Sequence, residues 1–466
     1  MQQSQYEVKT GREIEAFLPH VERTALAVSI NEWFSAGKSL NIFGANGCLY
    51  PNPDKVLVIV PSYGQSLSVG SQGVPGISFT NSQPEYALMM NNLGIALGVA
   101  GNQGNVPLAD FSTVNDFESI SVKVNSSDAS NYDAKELFCI PFAQKVSDVL
   151  AQENNVPIRI LSFSAGIGGT ALDNSDFPEM SQEAKGLKKG SNAYTNLMNA
   201  ISKVKEIAES KGWKVVVPVL LWQHGEADAG NVNYGMRLNT LISDVNTDVK
   251  TITGQNQPIC FYTSLKSNHY TTGTVGLEQS LEVARTNPLF KIVGTNYPAQ
   301  PATWANDYTH LSARGYNYLG FMYAKALYQD LKNGLGSFNT LTFKSALKSG
   351  KTIDVKFNVP VAPIKHKTTD VVLAQDGWGF RFTDNGTAIS ISNVQITADD
   401  TVRITLATEP TSGSQILTGA MYGHTSGDLS LNTRPRSNLC DSDTSFGNSA
   451  GGDSTENWLI PFKYQF

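Results

Sequence analysis

From about residue 55 to residue 332, short runs that are apolar at nearly every position alternate with longer stretches whose apolar positions recur every three to four residues. The apolar runs are KVLVIVP (55–61), PIRILSFS (157–164), KVVVPVLLW (214–222) and PICFYTS (258–264). A strand that is apolar on both faces must be covered on both faces, so these runs predict a parallel sheet between two helix layers. YTNLMNAISKVKEIAESKG (194–212) and MRLNTLISDVNTDVKTITG (236–254) carry helical spacing, and each closes on a glycine. Pro218 lies inside the third run and has no N–H to give a neighbouring strand, which predicts a bulge or a strand end there. The fold class read from this pattern is α/β, a doubly wound parallel sheet with helices on both faces.

Two stretches depart from the alternation. Residues 67 to roughly 135 follow the first strand with glycine-, asparagine- and serine-rich sequence, interrupted by the apolar YALMMNNLGIALG (86–98). Connections of this length in compact domains are usually lids or binding loops. After KALYQDLKNGLG (325–336), TIDVKFNV (352–359) and TVRITLA (401–407) alternate with a period of two, and FRFTDNGTAISIS (380–392) holds an Asn385-Gly386 hairpin signal. The expected organisation is an N-terminal segment over 1–50, helical around 20–37; an α/β domain over 51–336; and a small antiparallel β domain, sandwich-like, over 337–466.

Composition narrows the function. Hydrophobic residues at 41%, charged residues at 16% and a net charge of -6 describe a globular, mildly acidic chain with no basic cluster, so nucleic acid is not an expected partner. No stretch approaches the ~20 apolar residues of a membrane span, and the first residues lack the apolar core of a signal peptide. Cys48, Cys139, Cys260 and Cys440 are scattered without a C-x-x-C pair and read as free buried thiols. The six histidines show no H-x-x-x-H spacing, so no metal or other cofactor is expected. Oligomeric state is left open.

Reactive groups on a parallel sheet collect beyond the carboxyl ends of its strands. Four segments fall there: Gly64-Gln65-Ser66-Leu67, Gly166-Ile167-Gly168-Gly169-Thr170, Trp222-Gln223-His224-Gly225-Glu226, and DYTHLSARGY (307–316), which leads into a helix with Tyr316, Leu319, Tyr323 and Leu327 on one face. A serine attacks an ester only when a base takes its proton, and His310 is the candidate because imidazole titrates near neutrality. Asp307, three residues earlier, can hold the ring and stabilise its charged form. Glycines 64, 168 and 169 leave backbone N–H groups uncovered for an oxyanion, and His224 could add a side-chain donor. Taken singly, each motif has a structural reading: a tight turn, a core histidine, or tryptophans such as Trp222, Trp304, Trp378 and Trp458 that pack rather than stack on sugars. Their order at successive strand ends favours an acyl-transfer site.

The blocks YGQSLSVG, GIGGTAL, WQHGEADAG and DYTHLSARGYNYLG resemble those of the SGNH hydrolase superfamily, in its sialate O-acetylesterase and acetylxylan esterase-like branch, over about residues 55–330. The resemblance implies a flavodoxin-like sheet and removal of O-acetyl groups from a polysaccharide or oligosaccharide through an acyl-enzyme on Ser66. It further implies His310 as base, Asp307 as its partner, backbone N–H groups of Ser66 and Gly168 or Gly169 in the oxyanion hole, and Gln65 and Glu226 as orienting residues. His224 stands where the branch usually has glutamine, and Leu67 where it has asparagine. Esterase-plus-β-domain chains of this kind also occur in phage tail spikes, so a virion or extracellular setting is a natural analogy. Two other readings share these residues: a glycan-binding adhesin on an esterase scaffold without turnover, and a lipid esterase or thioesterase, which the polar 67–135 segment disfavours.

Overall fold

The computed structural model describes residues 55–97, 106–154, 158–180, 183–266, 274–301, 309–411, 413–421 and 434–466. The N-terminal segment 1–50, with Cys48, lies outside the described residues. Eight strands form one sheet: β1 (Val56–Gly64), β2 (Ala87–Met90), β3 (Phe117–Ser119), β4 (Arg159–Ser164), β5 (Lys214–Val216), β6 (Val219–Gln223), β7 (Cys260–Leu265) and β8 (Phe290–Thr295). Their order is β3-β2-β4-β1-β6-β7-β8, with β5 paired to the start of β1. Every pairing is parallel except that of the edge strand β3 with β2. With the β2–β3 edge set aside, β4-β1-β6-β7-β8 runs second, first, third, fourth, fifth, which is the flavodoxin-like order. The winding direction reverses between β1 and β6, and open α/β sheets bind ligands beyond the carboxyl ends of the strands at such a reversal.

Helices α1 (Cys139–Asn154), α2 (Asn192–Ser210), α3 (Tyr234–Thr253), α4 (Val275–Thr286) and α5 (Ala313–Asn333) flank the sheet. Alternation along β1 shows why its run is apolar throughout. Val56, Val58 and Val60 pack with Phe142 and Val146 of α1 and with Leu319, Tyr323 and Leu327 of α5. Leu57, Ile59 and Tyr63 face the opposite layer, with Leu197 and Ile201 of α2 and Leu238 and Ile242 of α3. The third apolar run is two strands rather than one, because Pro218 separates β5 from β6. The Gln255 side chain completes the break: Val217 N–H donates to its Oε1 at 2.8 Å, and its amide donates to Val217 O at 2.9 Å. The backbone N–H and C=O of Val217 are thereby paired by a side chain, and Pro218 O accepts from Cys260 N–H at the start of β7 at 3.0 Å.

The C-terminal region is antiparallel, as the period-two pattern predicts. β9 (Thr342–Ser349), β10 (Thr352–Asn358), β14 (Ile391–Ala398) and β15 (Thr401–Leu406) form one sheet in the order β14-β15-β10-β9. β12 (Phe380–Asp384), β13 (Thr387–Ile389), β16 (Gln415–Gly419) and β18 (Phe462–Gln465) form a second, and β11 (Lys365–His366) pairs with β17 (Leu439–Cys440). Asn385 and Gly386 connect β12 to β13 with φ of 50° and 80°, the left-handed pair that a two-residue hairpin turn uses. Val355, Phe357, Phe382, Ile404 and Leu417 share one apolar core drawn from both sheets. Cys139, Cys260 and Cys440 are buried free thiols.

Helix α5 joins the two regions. Lys325, buried on that helix, pairs with buried Asp443 at 2.7 Å and donates to Thr455 O at 2.7 Å. Arg314, near its start, pairs with Asp453 at 2.5 Å and Asp370 at 2.7 Å. Removing one partner of a buried pair leaves the other charge without compensation, whereas replacing both by apolar groups does not. Lys325→Met is therefore expected to destabilise the protein by about 3–5 kcal/mol, and the double variant Lys325→Met/Asp443→Leu to recover most of that loss in urea unfolding.

Candidate active site

Ser66 sits on a single helical turn, Ser66–Val69, directly beyond β1 and is 7% exposed. The turn is fixed to the end of β6. Gly64 pairs with Gln223 with φ of 144°, and a Cβ there would run into the Gln223 carbonyl, so only glycine fits. Gln65 N–H donates to the same carbonyl at 3.0 Å, and Gln65 Oε1 accepts from Ala227 N–H at 3.1 Å. Within the turn, Ser68 Oγ donates to Gln65 O at 2.6 Å, and Ser71 N–H to Ser66 O at 3.1 Å. The first and third sequence blocks are thus one hydrogen-bonded unit.

The second block closes on the same place. Ala165 N–H donates to Ser62 O and Ile167 N–H to Gly64 O, each at 2.9 Å, and Ser164 Oγ donates to Ser68 O at 2.8 Å. Gly168 and Gly169 follow at the surface of this turn, and a Cβ on either would meet nothing within 4 Å. Position 168 is half-buried and position 169 exposed, so neither glycine carries a side chain that could cover the turn. Leu172 N–H then donates to Asp228 Oδ2 at 2.8 Å, tying the block to the loop after β6.

His224 is buried against two aromatic rings, stacked on Tyr234 at 5.7 Å and tilted against Trp222 at 5.0 Å between ring centres, and Trp222 Nε1 donates to Tyr234 Oη at 3.3 Å. Its Nε2 lies 3.1 Å from Thr170 O and its Nδ1 3.3 Å from Tyr234 Oη. A carbonyl only accepts, so Nε2 carries the proton and Nδ1 accepts from the tyrosine. Burial lowers the pKa of the ring, against the opposing pull of Asp228 and Glu226, and the imidazole is neutral. The single N–H of His224 holds the Thr170 carbonyl, and service as an oxyanion donor requires that bond to be exchanged.

Glu226 is buried, and neither carboxylate oxygen has a hydrogen-bond partner among the described residues. Lys266, buried just beyond β7, donates through Nζ to Gly225 O. Burial pushes its pKa down to about 8, although Glu226 and Asp228 pull the other way. Sequence reasoning missed Lys266, Asp228 and Tyr234. The rule that chemistry gathers at strand ends would have found Lys266, which directly follows Leu265, the last residue of β7.

From the fourth block, His310 is half-buried and precedes buried Leu311 and half-buried Ser312, and Ser312 Oγ accepts from Gly315 N–H at 3.2 Å to cap α5. Tyr316, on the first turns of that helix, donates to Ser71 O at 2.8 Å. The segment bearing His310 is therefore anchored to the turn bearing Ser66. Asp307, with Trp304 and Tyr308, lies outside the described residues. Trp222 is fully buried in the core and Trp458 is nearly so. Among the described residues no group of three or more His, Cys, Asp or Glu could hold a metal ion.

Residues 127–329, a little under half of the chain, match the family described as carbohydrate esterase, sialic acid-specific acetylesterase. The match covers the second, third and fourth blocks, and the resemblance to the sialate O-acetylesterase-like branch stands on it. Among curated proteins, none matches the chain in sequence. Similar solved structures include a carbohydrate acetylesterase from Xanthomonas citri, at 12% identity over 88% of this chain and 80% of that one, with a TM-score of 0.47. A protein from Arabidopsis thaliana has 16% identity over 59% of this chain and 98% of its own, and NanS 16% over 60% and 98%, both with TM-scores of 0.36. At identities and scores this low, these likenesses carry no argument about what the chain does.

Keeping His224 neutral has a cost that depends on pH. The unfolded ring takes up a proton below its ordinary value of 6.5 while the folded ring, its pKa lowered, does not, so stability falls as pH drops below 6.5. The loss reaches at most about 1.4 kcal/mol per pH unit. In His224→Gln this component is absent, and the decline in melting temperature between about pH 7 and pH 5 is expected to be shallower than in the native protein.

Proposed function

We propose that the protein is a serine carbohydrate O-acetylesterase that works through an acetyl-enzyme on Ser66. The observation carrying this reading is the convergence at the β1/β6 reversal: the Ser66 turn, the Gly168-Gly169 turn and the loop after β6 are bonded to one another there. Tyr316 ties the His310 segment to the same turn. A crevice at such a reversal is where open α/β sheets bind ligands. The match to a carbohydrate esterase family supports the class of substrate.

In the first half-reaction Ser66 Oγ bonds to the acetyl carbonyl carbon as His310 takes the hydroxyl proton. Backbone N–H groups of Ser66 and of Gly168 or Gly169 stabilise the oxyanion, each worth about 2.7–4 kcal/mol. The carbon–oxygen bond to the sugar then breaks, and the departing sugar oxygen receives the proton from His310. Water adds to acetyl-Ser66 with its proton passing to His310, and acetate leaves as that proton returns to Ser66. Asp307 holds the imidazole in the productive tautomer and stabilises its charged form. His224 acts on the oxyanion hole through the turn it fixes at Thr170, and Gln65 orients the nucleophile's turn through Ala227. Glu226 is an orienting residue behind the reacting groups.

The test is acetate release from p-nitrophenyl acetate and acetylated xylan. Ser66→Ala and His310→Ala are expected to lower kcat by at least about 10³-fold and Asp307→Asn by up to about 10⁴-fold. Turnover retained in a correctly folded Ser66→Ala protein removes the mechanism. Octanoyl esters cleaved as fast as acetyl esters would move the assignment to a lipid esterase.

A further inference from the structure

The C-terminal region holds a groove with a cavity volume of about 550 Å³ between the start of β12 and the β13–β14 segment. This size falls within the range of small-ligand sites. Its lining is predominantly polar: exposed Asp376, Ser390 and Asn393 and half-buried Arg381 bring carboxylate, hydroxyl, amide and guanidinium groups beside the apolar Phe380, Ile391 and Val394. Trp378 lines it as well and is half-buried.

The backbone at Trp378 distinguishes this groove from an ordinary surface depression. Gly377 and Trp378 are successive left-handed residues, with φ of 61° and 53°. For a residue as bulky as tryptophan this conformation is a genuine outlier and costs on the order of 1–3 kcal/mol. It is held from both sides: Trp378 N–H donates to Gln375 O at 2.9 Å, and Trp378 O accepts from Ser437 Oγ at 2.9 Å and Asn438 N–H at 3.2 Å. The His366 ring, which does not line the groove, packs against the indole at 4.3 Å. Trp458 is the useful contrast, since it is 4% exposed and packs edge-on against Tyr297, as a core residue does. Part of the Trp378 indole packs against the apolar core of the two sheets, and its remaining, exposed part lines the groove.

We propose that this groove is a second carbohydrate-binding site, in which an oligosaccharide lays the apolar C–H face of a sugar ring on Trp378 and directs its hydroxyls to the polar walls. The inference rests on the carbohydrate reading of the enzyme but not on Ser66. The site would retain a polymer on the protein between successive cleavages, and it has no need of the acetyl group. Arg381, Asp376 and Asn393 offer donors and acceptors to ring hydroxyls of either orientation. An indole combines a large apolar area with little conformational entropy to lose.

The experiment uses the full chain carrying Ser66→Ala and a panel of deacetylated oligosaccharides from xylan, mannan, chitin and sialylated glycans, titrated calorimetrically. Chains without acetyl groups cannot be held through an acetyl group at the ester-cleaving site, but as products of that site they can still visit it, so the fall in affinity in the groove variants, rather than binding itself, assigns the site. At least one of them is expected to bind, and both Trp378→Ala and Ser390→Trp, which fills the groove from its rim, are expected to weaken that binding about tenfold. With Ser66 restored, both variants should turn over p-nitrophenyl acetate at the native rate. If Trp378→Ala loses its native circular dichroism, Ser390→Trp alone decides. Failure of every panel member to bind, or binding that survives a folded variant, overturns the groove. Turnover retained by Ser66→Ala overturns the catalytic reading instead, and leaves glycan binding through Trp378 standing.

Discussion

The close approach of Gly64 to the carbonyl of Gln223 sets the geometry of the whole candidate site. At this point the sheet changes its winding direction, and β1 and β6 run side by side to their carboxyl ends. A side chain at position 64 would separate them. Because it is glycine, Gln65 can bond to the same carbonyl, and the Ser66 turn starts from a rigid base rather than from a free loop. The Gly168-Gly169 turn reaches this base through the backbone bonds of Ala165 and Ile167. Side-chain chemistry here depends on backbone that the sheet has already ordered, which is what preorganised catalysis requires.

What could be read from the sequence followed from how completely each element is buried. β1, β4, β6 and β7 are covered on both faces, so their apolar runs stand out. Pro218 announced the break between β5 and β6, but the Gln255 amide that closes it depends on a contact 38 residues away. β2 and β3 escaped notice because they are short, lie at one side of the sheet and interrupt a glycine- and asparagine-rich stretch. The four blocks were visible as motifs, and the state of His224 was not. Its tautomer follows from Thr170 and Tyr234, which only the fold brings to the ring. Lys266 was hidden for a similar reason: its neighbours Gly225 and Glu226 are far away in the chain.

The boundary expected near residue 336 is crossed by strong contacts. Helix α5 belongs to the sheet's outer layer through Leu319 and Tyr323, and to the β region through Arg314, Asn317 and Lys325. Tyr297, near the end of the last parallel strand, donates to Leu459 O at 2.9 Å. Arg314 lies four residues beyond His310, so the antiparallel region braces the helix start that follows the candidate base.

The long excursion after Ser66 is closed at its base by Glu136. This buried carboxylate accepts from Ile77 N–H at 2.8 Å, from Ser78 N–H at 2.9 Å and from Asn317 Nδ2 at 3.2 Å, while Glu136 N–H donates to Gly73 O at 2.8 Å. Burial raises its pKa, and the bonds from Ser78, Ile77 and Asn317 oppose that rise. Val122 N–H, donating to Ser78 O at 3.0 Å, seals the neck further. β2, with the bonds that Ile95 and Leu97 make to Ser164, holds the middle of the excursion in the sheet, so the freedom to vary falls on its exposed stretch around residues 107–113, which can change length or sequence while β2 and the Ser66 turn keep their places.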